Sequence, residues 1–129
     1  MTGPKRRRRL NWADRRGATA VEFALVLPPF ILLVVGGFYL AGICFAKASL
    51  QYSVQAAARC ASVNATQCPS TTATATYASS LYLAPGFGAP TFTASSASCG
   101  HLVSGSATFA FNTGWATTNV PLTATACFP

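Results

Sequence analysis

Residues 23–46 form an uncharged run of 24 residues, FALVLPPFILLVVGGFYLAGICFA. As a helix this run would be about 36 Å long at about 1.5 Å per residue, against a bilayer hydrocarbon core of about 30 Å. It is therefore long enough to span a membrane with some tilt. The apolar region of a secretory signal is about 7–15 residues, so the run is too long for one. Ala46-Lys47-Ala48 nevertheless has the A-x-A form that signal peptidase cuts, so a secreted product beginning at Ser49 stands as a rival expectation. Leu40-Ala41-Gly42-Ile43-Cys44 does not make a lipobox, because the bulky Ile43 stands where a small residue must precede the cysteine.

Charge sharpens the picture. The chain has 129 residues, with nine Lys/Arg and two Asp/Glu. Lys5, Arg6, Arg7, Arg8, Arg9, Arg15 and Arg16 all precede the apolar run, and only Lys47 and Arg59 follow it. From Lys47 to the end, 83 residues contain no carboxylate side chain. The net +7 is thus a cationic tip on a nearly neutral body. A basic cluster can bind nucleic acid. Placed just before a membrane segment, it instead fixes orientation by the positive-inside rule and attracts anionic head groups. The expected topology is a single-pass inner-membrane protein with a cytoplasmic N-terminus and an extracytoplasmic C-terminal domain, and no nucleic-acid partner. Within the run, Pro28 and Pro29 remove two backbone donors and are expected to kink or loosen the helix. Gly36, Gly37, Ala41 and Gly42 are small enough to let another helix approach.

Glu22 lies at the threshold of the run, and a carboxylate at membrane depth costs a few kcal/mol without a partner. Its simplest reading is an interfacial acid that snorkels beside a helix N-terminus. The preceding residues add another: Arg15-Arg16-Gly17-Ala18-Thr19-Ala20-Val21-Glu22-Phe23 has a basic leader, a glycine, four residues and then a glutamate opening a hydrophobic helix. This is the type IV prepilin pattern, and over RRGATAVEFALVLPPF the chain resembles the TadE-like (TadE/TadG) minor pseudopilins of the tight-adherence, or Flp, pilus system. The resemblance implies cutting by a prepilin peptidase between Gly17 and Ala18. It also implies that Glu22 pairs with the new α-amino group of a neighbouring subunit, and that the partners are other pilin subunits and the Tad assembly machinery. Major Flp pilins are much shorter, so the extra domain implies a minor or accessory subunit. Gly17 lets an extended backbone enter a protease site that a Cβ would obstruct. An unpaired carboxylate in low dielectric is costly, so pairing would favour one axial register.

Beyond the run, Leu50, Val54, Ala57, Ala58 and Ala61 recur at helical spacing, which predicts an amphipathic stalk continuing the membrane helix. Residues 66–76 read as a Ser/Thr-rich loop and 77–83 as a short second helix ended by Pro85-Gly86. Residues 91–98, 102–111 and 121–127 are candidate strands, with Asn112-Thr113-Gly114 as a turn and Phe109 and Phe111 on one face. Trp115 is expected in core or loop packing. The resulting organisation is a leader (1–17), a transmembrane helix (18–46), its amphipathic extension (47–62), a loop with a short helix (63–90) and a small β-rich region (91–129). The fold class is α+β and membrane-anchored.

Of five cysteines, Cys44 falls in the apolar run, and Cys60, Cys68, Cys99 and Cys127 lie beyond it where oxidation is permitted. Four cysteines allow three pairings. Cys60–Cys68 would close a short loop and Cys99–Cys127 would tie the first strand to the last, each worth about 2–4 kcal/mol to a small domain. Neither pair has metal-ligand spacing and the lone His101 does not complete a set, so no metal or cofactor is expected. Without Asp or Glu in the distal domain, a Ser–His pair has nothing to orient it, and glycosidase or Mg²⁺ chemistry lacks its carboxylates. No Gly-rich loop matches a phosphate cradle. The expectation is a structural or assembly protein with no small-molecule substrate. Its alternative is an uncleaved single-pass anchor whose outer domain binds an envelope or surface partner. Asn64-Ala65-Thr66 is a glycosylation sequon, which carries little weight in a bacterial chain of the kind the resemblance implies.

Overall fold

A computed structural model of the chain describes residues 17–112 and 114–129. The basic leader and Thr113 of the anticipated turn lie outside the described residues. The chain divides after Gly37 into two units, with residues 38–129 forming the second.

Helix α1 runs from Ala18 to Val63 and includes both Pro28 and Pro29. It is long and apolar enough to cross a membrane, and its most apolar window has no buried residue. Its N-terminal part, residues 18–37, presents large apolar side chains to the surroundings all round, Phe23, Leu32 and Leu33 among them. Such a surface fits a single-pass membrane anchor.

In the second unit α1 behaves differently. Gly42, Ala46, Ser49, Leu50, Ser53, Val54, Ala57 and Ala58 are buried, a stripe of three- and four-residue steps down one side of the helix. Most of these side chains are small, which lets a β-sheet come close. The sheet is an antiparallel meander in the order β1 (Thr91–Ala97), β2 (Gly100–Asn112), β3 (Thr117–Phe128). Its register places Phe92 opposite Gly105 and Gly105 opposite Ala124. With the two-residue strand period, Val103, Ala107, Phe109, Leu122 and Ala124 turn to the helix and are buried, while Ser and Thr residues such as Thr93, Ser106 and Thr125 face away. On the outer face, the Thr91 and Ser106 hydroxyls meet across the strands at 3.0 Å.

Helix α2 (Thr71–Leu81) starts six residues before the short helix expected at 77–83, inside a stretch expected to be loop. Its threonines are weak helix formers, but Ser70 caps it by accepting from the Ala73 N–H at 3.2 Å, and Thr74 and Ala78 are buried. Capping and tertiary packing override propensity here. The helix lies along β1, and a 3-10 turn at Pro85–Phe87 follows.

The strands differ from expectation at their ends. β3 begins four residues ahead of Pro121, because it is an edge strand and an edge strand tolerates a residue without an N–H. β2 begins at Gly100, after a two-residue turn at Ser98-Cys99. Gly100 has φ 114°, and a Cβ there would overlap the Phe128 carbonyl oxygen. Trp115 is not in the core: it is 98% exposed in the β2–β3 loop, where Gly114 takes φ 82° and donates its N–H to Asn112 Oδ1 at 2.8 Å.

Two disulfides tie this unit. Cys60–Cys68 joins the end of α1 to the segment leading into α2, and Cys99–Cys127 joins the β1–β2 turn to the end of β3. Asn64 and Cys68 donate backbone N–H groups to the carbonyls of Cys60 and Asn64 at 2.9 Å, shaping the shorter loop. Cys44 is a free, exposed thiol.

Candidate assembly and processing site

The Gly17–Ala18 bond lies at the point where α1 begins. Gly17 is exposed, and a Cβ at this position would meet nothing within 4 Å. Its glycine is therefore not required by packing among the described residues. A cut at this bond would leave α1 whole, whereas a cut after Ala48 would divide it.

Glu22 follows Ala18 by four residues, about one turn and about 6 Å of rise, so both lie on one side of the helix. Its side chain is exposed, and among the described residues it has no ionic partner. Lys5, Arg6, Arg7, Arg8, Arg9, Arg15 and Arg16 fall outside the described residues. Gly36, Gly37 and Ala41 are uncovered, but Gly42 is not: the Phe87 ring sits against it, so its small size serves the packing of its own domain.

The second unit offers a different kind of surface. It carries an open groove of about 750 Å³ lined by Tyr52, Arg59, Asn64, Gln67, Tyr77 and Phe128, among others. Among the described residues its chemistry is aromatic, amide and hydroxyl, with the guanidinium of Arg59. Sequence reasoning did not bring these residues together, because the contributors come from α1, α2 and β3 and share no motif. His101 is exposed on β2. No group of three or more His, Cys, Asp or Glu side chains converges among the described residues.

The buried polar groups of this unit are used for packing. Ser49 Oγ accepts the Leu83 N–H at 2.8 Å and its carbonyl receives the Ser53 hydroxyl at 2.9 Å. Lys47 Nζ donates to the Thr123 carbonyl on the outer edge of β3. Tyr82 Oη is the exception: among the described residues it is buried without a partner, and burial raises the phenol above its usual pKa.

These features define an α+β protein carrying one N-terminal apolar helix that fits a single-pass membrane anchor, with a small disulfide-tied antiparallel sheet packed on the same helix. A family model described as TadE-like protein matches residues 17–59, so this segment is TadE-like, as its prepilin pattern implied. The match begins at Gly17 and takes in Glu22, the apolar run and most of the packed stripe of α1. It covers 43 of the 129 residues and leaves α2 and the sheet outside. No curated protein and no solved structure gives a significant match.

Proposed function

We propose that the chain is a minor pilin or pseudopilin-like structural subunit of a Tad/Flp-type pilus, cut by a prepilin peptidase after Gly17. The observation that carries this reading is the coincidence of three features at one point. The TadE-like match, helix α1 and the Gly17…Glu22 spacing all begin within two residues of each other. Removing the leader frees an α-amino group at Ala18, one turn from Glu22, and leaves every residue of α1 in the product. The amine of one copy then pairs with the Glu22 carboxylate of the next, an arrangement favoured because either charge alone is costly in an apolar assembly. The disulfide-tied unit stays outside the helical assembly and performs no chemistry of its own.

The N-terminal residue of the purified protein tests the processing step. Ala18 is expected. Met1 or Thr2 would mean an uncleaved anchor, and Ser49 a secreted domain. Glu22→Ala tests the pairing: processing with failed incorporation into filaments is expected, and unchanged incorporation would remove Glu22 from the assembly step.

A further inference from the structure

We propose that the Tyr39 end of the distal unit, with the β2–β3 loop and Trp115 at its tip, rests in the interfacial layer of the lipid bilayer. This inference rests on the reading that α1 spans the membrane.

The length of the helix motivates it. Tyr39 is the first residue of α1 packed against the sheet: its ring meets Phe111 edge-to-face at 4.4 Å and Phe109 at 6.4 Å. The apolar residues ahead of that contact, 23–38, number 16 and give only about 24 Å of helix, short of a hydrocarbon core of about 30 Å. About 20 residues are needed, which brings the hydrocarbon boundary to the region of Gly42. There the Phe87 ring covers Gly42 and stacks on Phe109 at 5.5 Å. The bilayer thus reaches a level of α1 that already has the sheet beside it.

The direction of β2 decides which part of the sheet is at that level. Gly105 lies against Val54, and Phe111 lies against Tyr39. Six strand residues cover about 20 Å and fifteen helix residues about 22 Å, so β2 runs back along α1 toward Tyr39. Trp115 follows Phe111 by four residues in the β2–β3 connection, at the Tyr39 end of the unit.

The chemistry of this end suits an interface. Phe38 is 76% exposed, Leu40 63% and Phe45 50%, and all three are on α1. Trp115 is 98% exposed, an unusual position for the largest apolar side chain in water. Residues 114–120, GWATTNV, carry no charge but two hydroxyls and an amide, so they can sit among head groups without the cost of burying an ion. The first cation outward is Lys47, whose ammonium reaches the β3 edge and marks the aqueous side. Tryptophan with an apolar body and one N–H donor is the side chain favoured at this depth.

The test uses the full chain in phosphatidylcholine vesicles whose acyl chains are brominated at chosen depths. Trp12→Phe leaves Trp115 as the sole tryptophan. Its emission is expected to be blue-shifted against the denatured chain, shielded from acrylamide, and lost most strongly to bromine near the head-group end of the acyl chain. A second chain, Trp12→Phe/Trp115→Phe/Phe30→Trp, reports the membrane span separately and is expected to lose its emission to deeper bromine. Deep quenching at residue 30 with Trp115 open to acrylamide and unaffected by bromine would overturn this proposal while the anchor stands. Absence of bromine quenching in both chains would overturn the anchor reading together with it.

Discussion

Gly105 occupies the middle of the sheet, and the packing of α1 on β2 depends on its missing side chain. A Cβ built there meets Phe92 Cε1 at 2.8 Å, Phe92 Cδ1 at 2.9 Å and Val54 Cγ1 at 3.0 Å, where ordinary contacts begin near 3.4 Å. Phe92 is half-buried with its ring against that of Tyr82, and Val54 is fully buried on the helix, so neither gives way freely. Overpacking of this kind costs about 1–3 kcal/mol, and replacing a strand glycine by alanine returns about 0.5–1 kcal/mol of backbone entropy. Gly105 does not have a positive φ, so no backbone strain is added. Gly105→Ala is therefore expected to destabilise the distal unit by about 1–2 kcal/mol, or about 5–15 °C in Tm for a domain of this size. Near-UV circular dichroism of the full chain in detergent micelles follows the transition through the packed aromatic rings. Phe92→Leu removes the nearer obstacle, so Gly105→Ala should cost less in that background, by an interaction energy of about 0.5 kcal/mol or more. An unchanged or higher Tm for Gly105→Ala would refute the close-packing argument. An equal loss in both backgrounds would refute Phe92 as its cause.

Tyr82→Phe removes a buried hydroxyl that has no partner among the described residues, and is expected to leave stability unchanged or raise it by about 1 kcal/mol in the same melting assay. Because burial raises the Tyr82 pKa above 10.0, the folded state keeps the proton longer than the unfolded chain. Stability is intact below pH 10 and falls as pH climbs from there through the raised value, a loss that Tyr82→Phe should blunt. Reopening Cys60–Cys68, with a sequence separation of 8, should cost about 2.5 kcal/mol on the loop-entropy scale. Reopening Cys99–Cys127, with a separation of 28, should cost about 3.5 kcal/mol, so the paired serine variants should melt in that order. Ser49→Ala leaves the Leu83 N–H without its acceptor and should cost about 1–3 kcal/mol, whereas Ser62→Ala, on an exposed hydroxyl, should be near neutral.

The parts of this fold legible in the sequence are those where opposite sides of an element have different solvents. The stripe Leu50, Val54, Ala57 and Ala58 stands out because Gln55 and Arg59 mark the other side of the helix. The strand alternation of β2 stands out because Val103, Ala107 and Phe109 alternate with hydroxyls or alanine. The N-terminal segment was legible for another reason: Gly17 and Glu22 form a spacing pattern that needs no tertiary context. Helix α2 was read too short because its threonines suggest a loop, and the cap at Ser70 and the burial of Thr74 emerge only with the fold. The start of β3 was hidden by Pro121, whose tolerance depends on the strand being at an edge. The exposure of Trp115 ran against its size. Nothing local to that residue says which end of the domain it occupies.

The least legible stretch, residues 38–46, is also the one where two roles meet. Phe38, Leu40 and Phe45 are exposed, while Tyr39, Gly42, Ile43 and Ala46 are buried or half-buried against the domain. All of these side chains except the Tyr39 hydroxyl are apolar, since lipid and protein interior select similar residues, so hydropathy carries no periodic signal there. Size carries the signal instead. Gly42 and Ala46 continue, at the same spacing, into Ser49, Ser53 and Ala57, so one line of small residues passes from the uncharged run into the amphipathic extension. The sheet is seated by that line of small side chains, not by the change from polar to apolar surroundings. The distal unit can therefore hold one register on α1 from Gly42 to Ala57. Where α1 spans a membrane, the large exposed side chains of the opposite face and the charge of Lys47 would set the lipid boundary instead.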